Sequence, residues 1–210
     1  MKQLQFLIKP AAGFCNMRCH YCFYRDEQQN RSTSEDCMMT LQTAETLIRR
    51  CFEELDQGGF VSFAFQGGEP TLAGLDFFLF FTQTVRKYNQ KCVTVQYAIQ
   101  TNGLAVAEEW AKFFREENFL VGISLDGTPD VHDALRPDAS GYGTWARVMQ
   151  TIELLHRYGV ECNLLCVVTK QLAKKAERVY KSMKATGVRY LQFIPCLDPL
   201  GMPQGQQNYS

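Results

Sequence analysis

Short runs rich in β-branched and aromatic residues alternate along this chain with stretches whose apolar residues recur every three or four positions. The runs read as strands at Leu4–Ile8, Phe60–Phe65, Val93–Gln100, Leu120–Leu125, Glu161–Val168 and Tyr190–Ile194. The amphipathic stretches read as helices over 41–57, 75–89, 106–117, 144–158 and 171–185. Thr40 suits an N-cap for the first of these, and Gly58-Gly59 ends it. Such βαβ alternation predicts an α/β fold with a parallel sheet and right-handed crossovers. A polar stretch, Arg25–Asp36, follows the first strand. The last residues, GMPQGQQNYS, have linker composition, so a core over 1–198 with a fraying tail over 199–210 is expected.

The polar motifs collect at the carboxyl ends of the strands. Cysteines follow the first, QGGEP (66–70) the second, QTNG (100–103) the third and SLDG (124–127) the fourth. In α/β barrels and open α/β sheets that rim carries the active site.

Composition narrows the class. Lysine plus arginine and aspartate plus glutamate each number 22, so nothing argues for nucleic acid or an anionic membrane. The longest apolar stretches fall far short of a membrane span, and the start has no signal-peptide pattern, which makes a cytoplasmic enzyme the default. Nine cysteines, an odd number, fit a disulfide framework poorly. Cys51, Cys92, Cys162, Cys166 and Cys196 lie singly in apolar segments and read as small buried hydrophobes. Such thiols suit a strongly reducing cell.

Cys15, Cys19 and Cys22, spaced C-x3-C-x2-C, are different. Three thiolates in a short loop suit a [4Fe–4S] cluster whose remaining iron is open to a small molecule. The competing metal is zinc, which wants four closed ligands; the nearby fourth candidate, His20, is awkwardly adjacent to Cys19. Phe14, Tyr21, Phe23 and Tyr24 would shield a cluster from water. In QGGEP, the glycines allow close backbone approach to a ligand, and Glu69 adds an acceptor for an ammonium group. Alone that motif reads as a turn.

Together these motifs resemble the radical S-adenosylmethionine (SAM) superfamily, and more closely the anaerobic sulfatase-maturating enzymes. The resemblance runs through IKPAAGFCNMRCHYCFY (8–24), SFAFQGGEPTLAGL (62–75), QTNG (100–103), FLVGISLDG (119–127), VHDALRP with GYGTW (131–145), NLLCVVT (163–169) and LQFIPCLDPL (191–200). It implies a partial (β/α)6 TIM-like barrel, truncated after strand six. Cys15, Cys19 and Cys22 would hold the cluster, whose open iron SAM chelates. Gly67, Gly68 and Glu69 would meet the methionyl amino end of SAM. Ser124 and Arg136 would hold its ribose and carboxylate side, with Tyr21 and Leu197 flanking the adenine through their backbones. Gln66 and Tyr24 would face a substrate peptide. The implied reaction is oxidation of a sulfatase cysteine or serine to Cα-formylglycine by way of a 5′-deoxyadenosyl radical, with a ferredoxin or flavodoxin as reductant.

Plainer readings stand beside these. Ser124 caps the following turn, Arg136 makes a surface ion pair, and Gln66 and Tyr24 are packing residues. His132 shapes its loop, and His156 lies on a helix surface. Complete maturases continue into a cysteine-rich domain with auxiliary clusters and a base aspartate, so no residue here is assigned as the catalytic base and the chain is expected to be a fragment or an isolated domain. Strand six would then lack a covering helix and leave apolar surface exposed. Thioether-forming peptide maturases are the rival enzyme class, and an inactive iron–sulfur scaffold is the rival outside enzymes.

Overall fold

The computed structural model describes residues 2–24 and 38–198. In chain order the elements are β1 (Gln3–Ile8), α1 (Leu41–Glu54), β2 (Phe60–Phe65), a 3-10 turn (Pro70–Ala73), α2 (Leu75–Tyr88), β3 (Thr94–Thr101) and α3 (Glu108–Glu116). There follow β4 (Phe119–Ser124), α4 (Pro129–Leu135), α5 (Trp145–Arg157), β5 (Cys162–Val168), α6 (Lys170–Ala173), α7 (Ala176–Ala185) and β6 (Tyr190–Pro195). The strands form one six-stranded sheet in the order β1-β2-β3-β4-β5-β6, every neighbour parallel. With the order matching the sequence, each crossover returns to the adjacent strand, and the sheet curls into a half-barrel with helices outside.

Strand register separates two faces. Phe63, Tyr97 and Phe119 pair across β2–β4, as do Phe65, Ile99 and Val121. These residues face the helices: Phe63 packs on Phe81 of α2 at 5.1 Å between ring centres, and Phe65 on Phe78 at 4.9 Å. Phe63, Phe65, Phe78, Phe81, Phe114 and Phe119 are fully buried and dominate the core. The alternate residues (Gln5, Ser62, Gln96, Gln100, Ser124, Asn163, Gln192) line the concave face.

The predicted elements are present, with three differences. The first helix stops at Glu54 because Leu55 turns extended and buries itself in the core. The stretch expected as one helix over 171–185 breaks between Ala173 and Ala176, Thr169 capping the first piece through Leu172 N. Helix α4 was not anticipated; Pro129 at its first position and Asp130 in its first turn signal it, but seven residues are too few to show a period. Among the other cysteines, Cys51 and Cys166 are buried and Cys162 and Cys196 half-buried, whereas Cys92 is exposed, at a left-handed φ of 51°. Reading Cys92 as a buried hydrophobe is therefore wrong: it occupies a turn. Phe193 on β6, paired with the buried Cys166 on the helix-facing side, is 44% exposed, matching the expected apolar surface there. The polar stretch 25–36 and the tail 199–210 lie outside the described residues. No helix among the described residues is long and apolar enough to cross a membrane.

Candidate functional site: a cysteine-ringed cavity at the strand ends

The cysteine loop is fastened by backbone hydrogen bonds rather than by regular structure. Phe14 N donates to Ala11 O at 2.9 Å, and Glu69 N donates to Phe14 O at 2.7 Å, joining the loop to QGGEP. On its other side Arg18 N donates to Pro137 O and His20 N to Leu135 O, which ties the loop to the end of α4. Met17, 3% exposed, is the loop's apolar anchor.

A cavity of about 230 Å³ opens between this loop and the carboxyl ends of the strands. It brings together the residues assigned to cluster, SAM and peptide: Cys15, Cys19, Cys22, Tyr21, Tyr24, Gln66, Gly67, Gly68, Glu69, Ser124, Arg136 and Leu197. Phe23, expected beside the cluster, and Gln100, Thr101 and Asn102 of the QTNG motif also line it, while Met17, Leu165, Val167, Ile194 and Pro195 complete the lining without having been singled out. Phe14 and Phe23 are 40% and 45% exposed; Phe23 lines the cavity and Phe14 does not. The Tyr24 ring packs at a tilt against Phe23 and lies under Lys9 Nζ at 4.8 Å. Ser124 Oγ accepts from Gln100 Nε2 at 3.0 Å, a cross-strand bond inside the cavity rather than a cap on the next turn. His132 does shape its loop; His20 is exposed.

Glu69 is 1% exposed. Its Oε1 accepts from Thr71 N, Thr71 Oγ1 and Thr101 Oγ1 at 3.2, 2.7 and 2.6 Å, and Oε2 accepts from Asn102 N at 2.7 Å. Burial pushes its carboxyl up, and those four donors oppose it. Oε2 carries a single bond and so keeps a lone pair for a ligand donor.

Arg136 is 7% exposed, which rules out a surface ion pair. Its Nη1 donates to Tyr21 OH at 2.6 Å and lies 4.0 Å from Asp126 Oδ2, to which the Tyr21 hydroxyl also donates. Asp126 Oδ1 accepts from Val167 N at 3.1 Å. Burial pushes the Asp126 carboxyl up, against the guanidinium beside it. Arg136 Nε is buried with no hydrogen-bond partner, an N–H donor held beside the cavity. Asp126 itself was not identified from sequence; its partner Tyr21 is 105 positions away.

His132 supports this cluster from behind. Its Nδ1 accepts from Asp126 N at 3.1 Å, so Nε2 carries the proton, toward Thr144 Oγ1 at 3.0 Å. The Thr144 hydroxyl in turn donates to Arg136 O at 2.7 Å. Burial, and then the Arg136 charge, hold the imidazole well below its usual range. A folded pKa below the unfolded value makes this contribution present above about pH 6.5 and lost as pH falls. Thermal melts between about pH 7.5 and about pH 5 are therefore expected to show a shallower acid loss of Tm in His132→Gln than in the parent. Because Glu69 and Asp126 titrate in both proteins, the difference in slope isolates His132, and equal slopes would refute the assignment.

The donor set suits a cluster. Among the described residues no three His, Cys, Asp or Glu side chains converge closely enough to hold a single metal ion, as zinc would need. A cubane takes each thiolate on a different iron, and three thiols ringing one cavity meet that requirement. Burial pushes the Cys15 thiol up and the Cys19 thiol to about 11; coordination to a cationic core reverses this by deprotonating them. The orphaned Arg136 N–H and the spare Glu69 lone pair suit a ligand bearing both carboxylate and ammonium.

A family model of the radical SAM superfamily matches residues 10–183, a span that holds the cysteine triad, QGGEP, Ser124 and Arg136. The chain belongs to the radical SAM superfamily. As a radical SAM chain its cofactors are S-adenosylmethionine and a [4Fe–4S] cluster. A cysteine-type anaerobic sulfatase-maturating enzyme of Clostridium novyi is 50% identical over 210 residues, which is all of this chain and 56% of that protein. A serine-type enzyme of Klebsiella aerogenes is 36% identical over 192 residues, covering 91% of this chain and 46% of its own length. The solved structure of native anSMEcpe with bound AdoMet and the Cp18Cys peptide superimposes with a TM-score of 0.91 at 43% identity, over 100% of this chain and 55% of that one. Streptococcus suis SuiB bound to S-adenosylmethionine, at 18% identity and a TM-score of 0.67, shares the fold. This radical SAM chain thus spans about half the length of the relatives it matches.

Proposed function

We propose that this chain is the radical SAM portion of an anaerobic sulfatase maturase, an oxidoreductase that converts a cysteine or serine of a sulfatase polypeptide to Cα-formylglycine. The observation that carries the reading is the convergence of the twelve candidate residues on one cavity at the strand ends. Identity of 50% to a cysteine-type enzyme against 36% to a serine-type one favours cysteine as the target.

SAM bound to the reduced cluster supplies the hydrogen-atom abstraction. The chain's own residues bind and orient. Cys15, Cys19 and Cys22 hold the cluster. The Gly67-Gly68 backbone and Glu69 Oε2 take the ammonium, Arg136 and Ser124 take the carboxylate and ribose side, and the Tyr21 and Leu197 backbones flank the adenine. Gln66 and Tyr24 stand toward the peptide. Leu165, Val167 and Ile194 form an apolar wall that excludes water from the reacting atoms. We assign the reductant to the ferredoxin or flavodoxin class. The eight described cysteines are all free, which suits the reducing cytoplasm.

The test is anaerobic reconstitution with iron and sulfide, reduction, and incubation with SAM and a C-x-P-x-R or S-x-P-x-R peptide. Mass spectrometry is expected to find 5′-deoxyadenosine, released faster with the cysteine peptide, and an aldehyde residue once the chain is joined to the remaining portion of the Clostridium novyi relative. Deoxyadenosine without aldehyde on either peptide from the chain so joined would sink the maturase reading and leave another peptide-modifying activity. Iron uptake with no deoxyadenosine would leave a scaffold.

A further inference from the structure

We propose that Asn102 tunes the reduction potential of the cluster through an N–H···S hydrogen bond to Cys15. The inference rests on the assignment of the cluster to Cys15, Cys19 and Cys22.

Asn102 follows β3 in the QTNG turn and is 5% exposed. Its backbone N–H and both polar atoms of its side chain are engaged. Its backbone N donates to Glu69 Oε2 at 2.7 Å, and its Oδ1 accepts from Leu104 N at 2.9 Å, which closes the turn. These two bonds fix the side chain so that Nδ2 points at the cysteine loop. Nδ2 donates to Asn16 Oδ1 at 2.7 Å and lies 3.7 Å from Cys15 Sγ. Met17 N approaches the same sulfur at 3.4 Å. Two N–H groups therefore converge on one thiol, one from within the loop and one from the turn after β3, 87 positions away.

A thiolate ligand carries part of the charge that a cluster gains on reduction. Donors aimed at that sulfur stabilise the reduced state more than the oxidised one and raise the potential. Electron entry is the first requirement of this chemistry, and the added negative charge arrives in a pocket lined by the buried Glu69, with Asp126 buried behind Tyr21 and Arg136. A neutral amide offsets this at the sulfur without adding a cation that would compete with the iron for carboxylate partners. Asn102 acts as a positioning and tuning residue, since it touches a cluster ligand rather than the reacting atoms.

The experiment is an EPR-monitored redox titration of the reconstituted protein, without substrate, for the parent, Asn102→Leu and Asn102→Asp. Both variants are expected to bind the same iron and to require a more negative potential for half-reduction. The shift is larger for Asn102→Asp, whose carboxylate adds charge. An unshifted potential in both would overturn the inference. A second measurement does not depend on the variants folding: the parent, labelled with 15N in asparagine side-chain amides, is reduced and examined by pulsed EPR. A weak 15N coupling to the cluster is expected, and it is absent from Asn102→Asp carrying the same label. A parent cluster with no such coupling overturns the inference while leaving the cluster intact. A parent that takes up no cluster overturns the cluster assignment, and this inference with it.

Discussion

Cys19→Ala is expected to reduce iron content and deoxyadenosine release by at least about 100-fold while leaving the circular dichroism spectrum unchanged. Cys19 is the thiol most affected by burial in the loop, pushed to about 11, with Arg136 as the charge that most offsets this. It contributes little to the core, which lies on the far side of the sheet among phenylalanines. Ligation and folding are thus separable at this position. Cys51→Ala supplies the control: Cys51 is 3% exposed within α1 and packs in the core, so its loss lowers stability and leaves iron uptake intact. Iron retained by Cys19→Ala, or lost from Cys51→Ala, would contradict the assignment of ligands.

Gly68→Ala is expected to destabilise the protein by about 2–4 kcal/mol and to weaken SAM binding. The residue has φ +56°, and a Cβ there would collide with Phe14 O and lie 3.0 Å from Ala12 O, both backbone atoms of the cysteine loop. Left-handed backbone alone costs about 1–2 kcal/mol for a residue with a side chain. The collision adds more, because the loop must move away and the 2.7 Å bond from Glu69 N to Phe14 O goes with it. Gly141→Ala separates the two effects: φ is +85°, yet nothing lies within 4 Å of its Cβ, so only the backbone cost applies. Anaerobic urea melts with SAM titrations on both variants decide the matter. Equal losses would show that the loop does not press on the strand end.

Much of this was legible in the chain because the signals are local. β2 runs over Phe60–Phe65 as its six consecutive apolar and small residues suggest, and the cysteine spacing and QGGEP need no distant information. What escaped was short or long-range. Helix α4 has seven residues, less than the window over which a period shows. Asp126 looked like a strand-ending turn residue, and its role emerges only when Tyr21 and Arg136 are brought to it across the sheet. Asn102 likewise reads as a turn former until the cysteine loop folds over it. Cys92 misled because an apolar neighbourhood in sequence says nothing about a left-handed turn.

The two-faced register of the strands has a consequence for how this scaffold changes over generations. Positions such as Phe63, Tyr97, Ile99 and Leu164 carry the packing, while their immediate neighbours Ser62, Gln96, Gln100 and Asn163 face the hollow side. A mutation on the hollow side alters what the barrel accepts with little charge to folding, and one on the convex side does the reverse. Selection can therefore explore new guests and preserve the vessel at the same time, one residue apart.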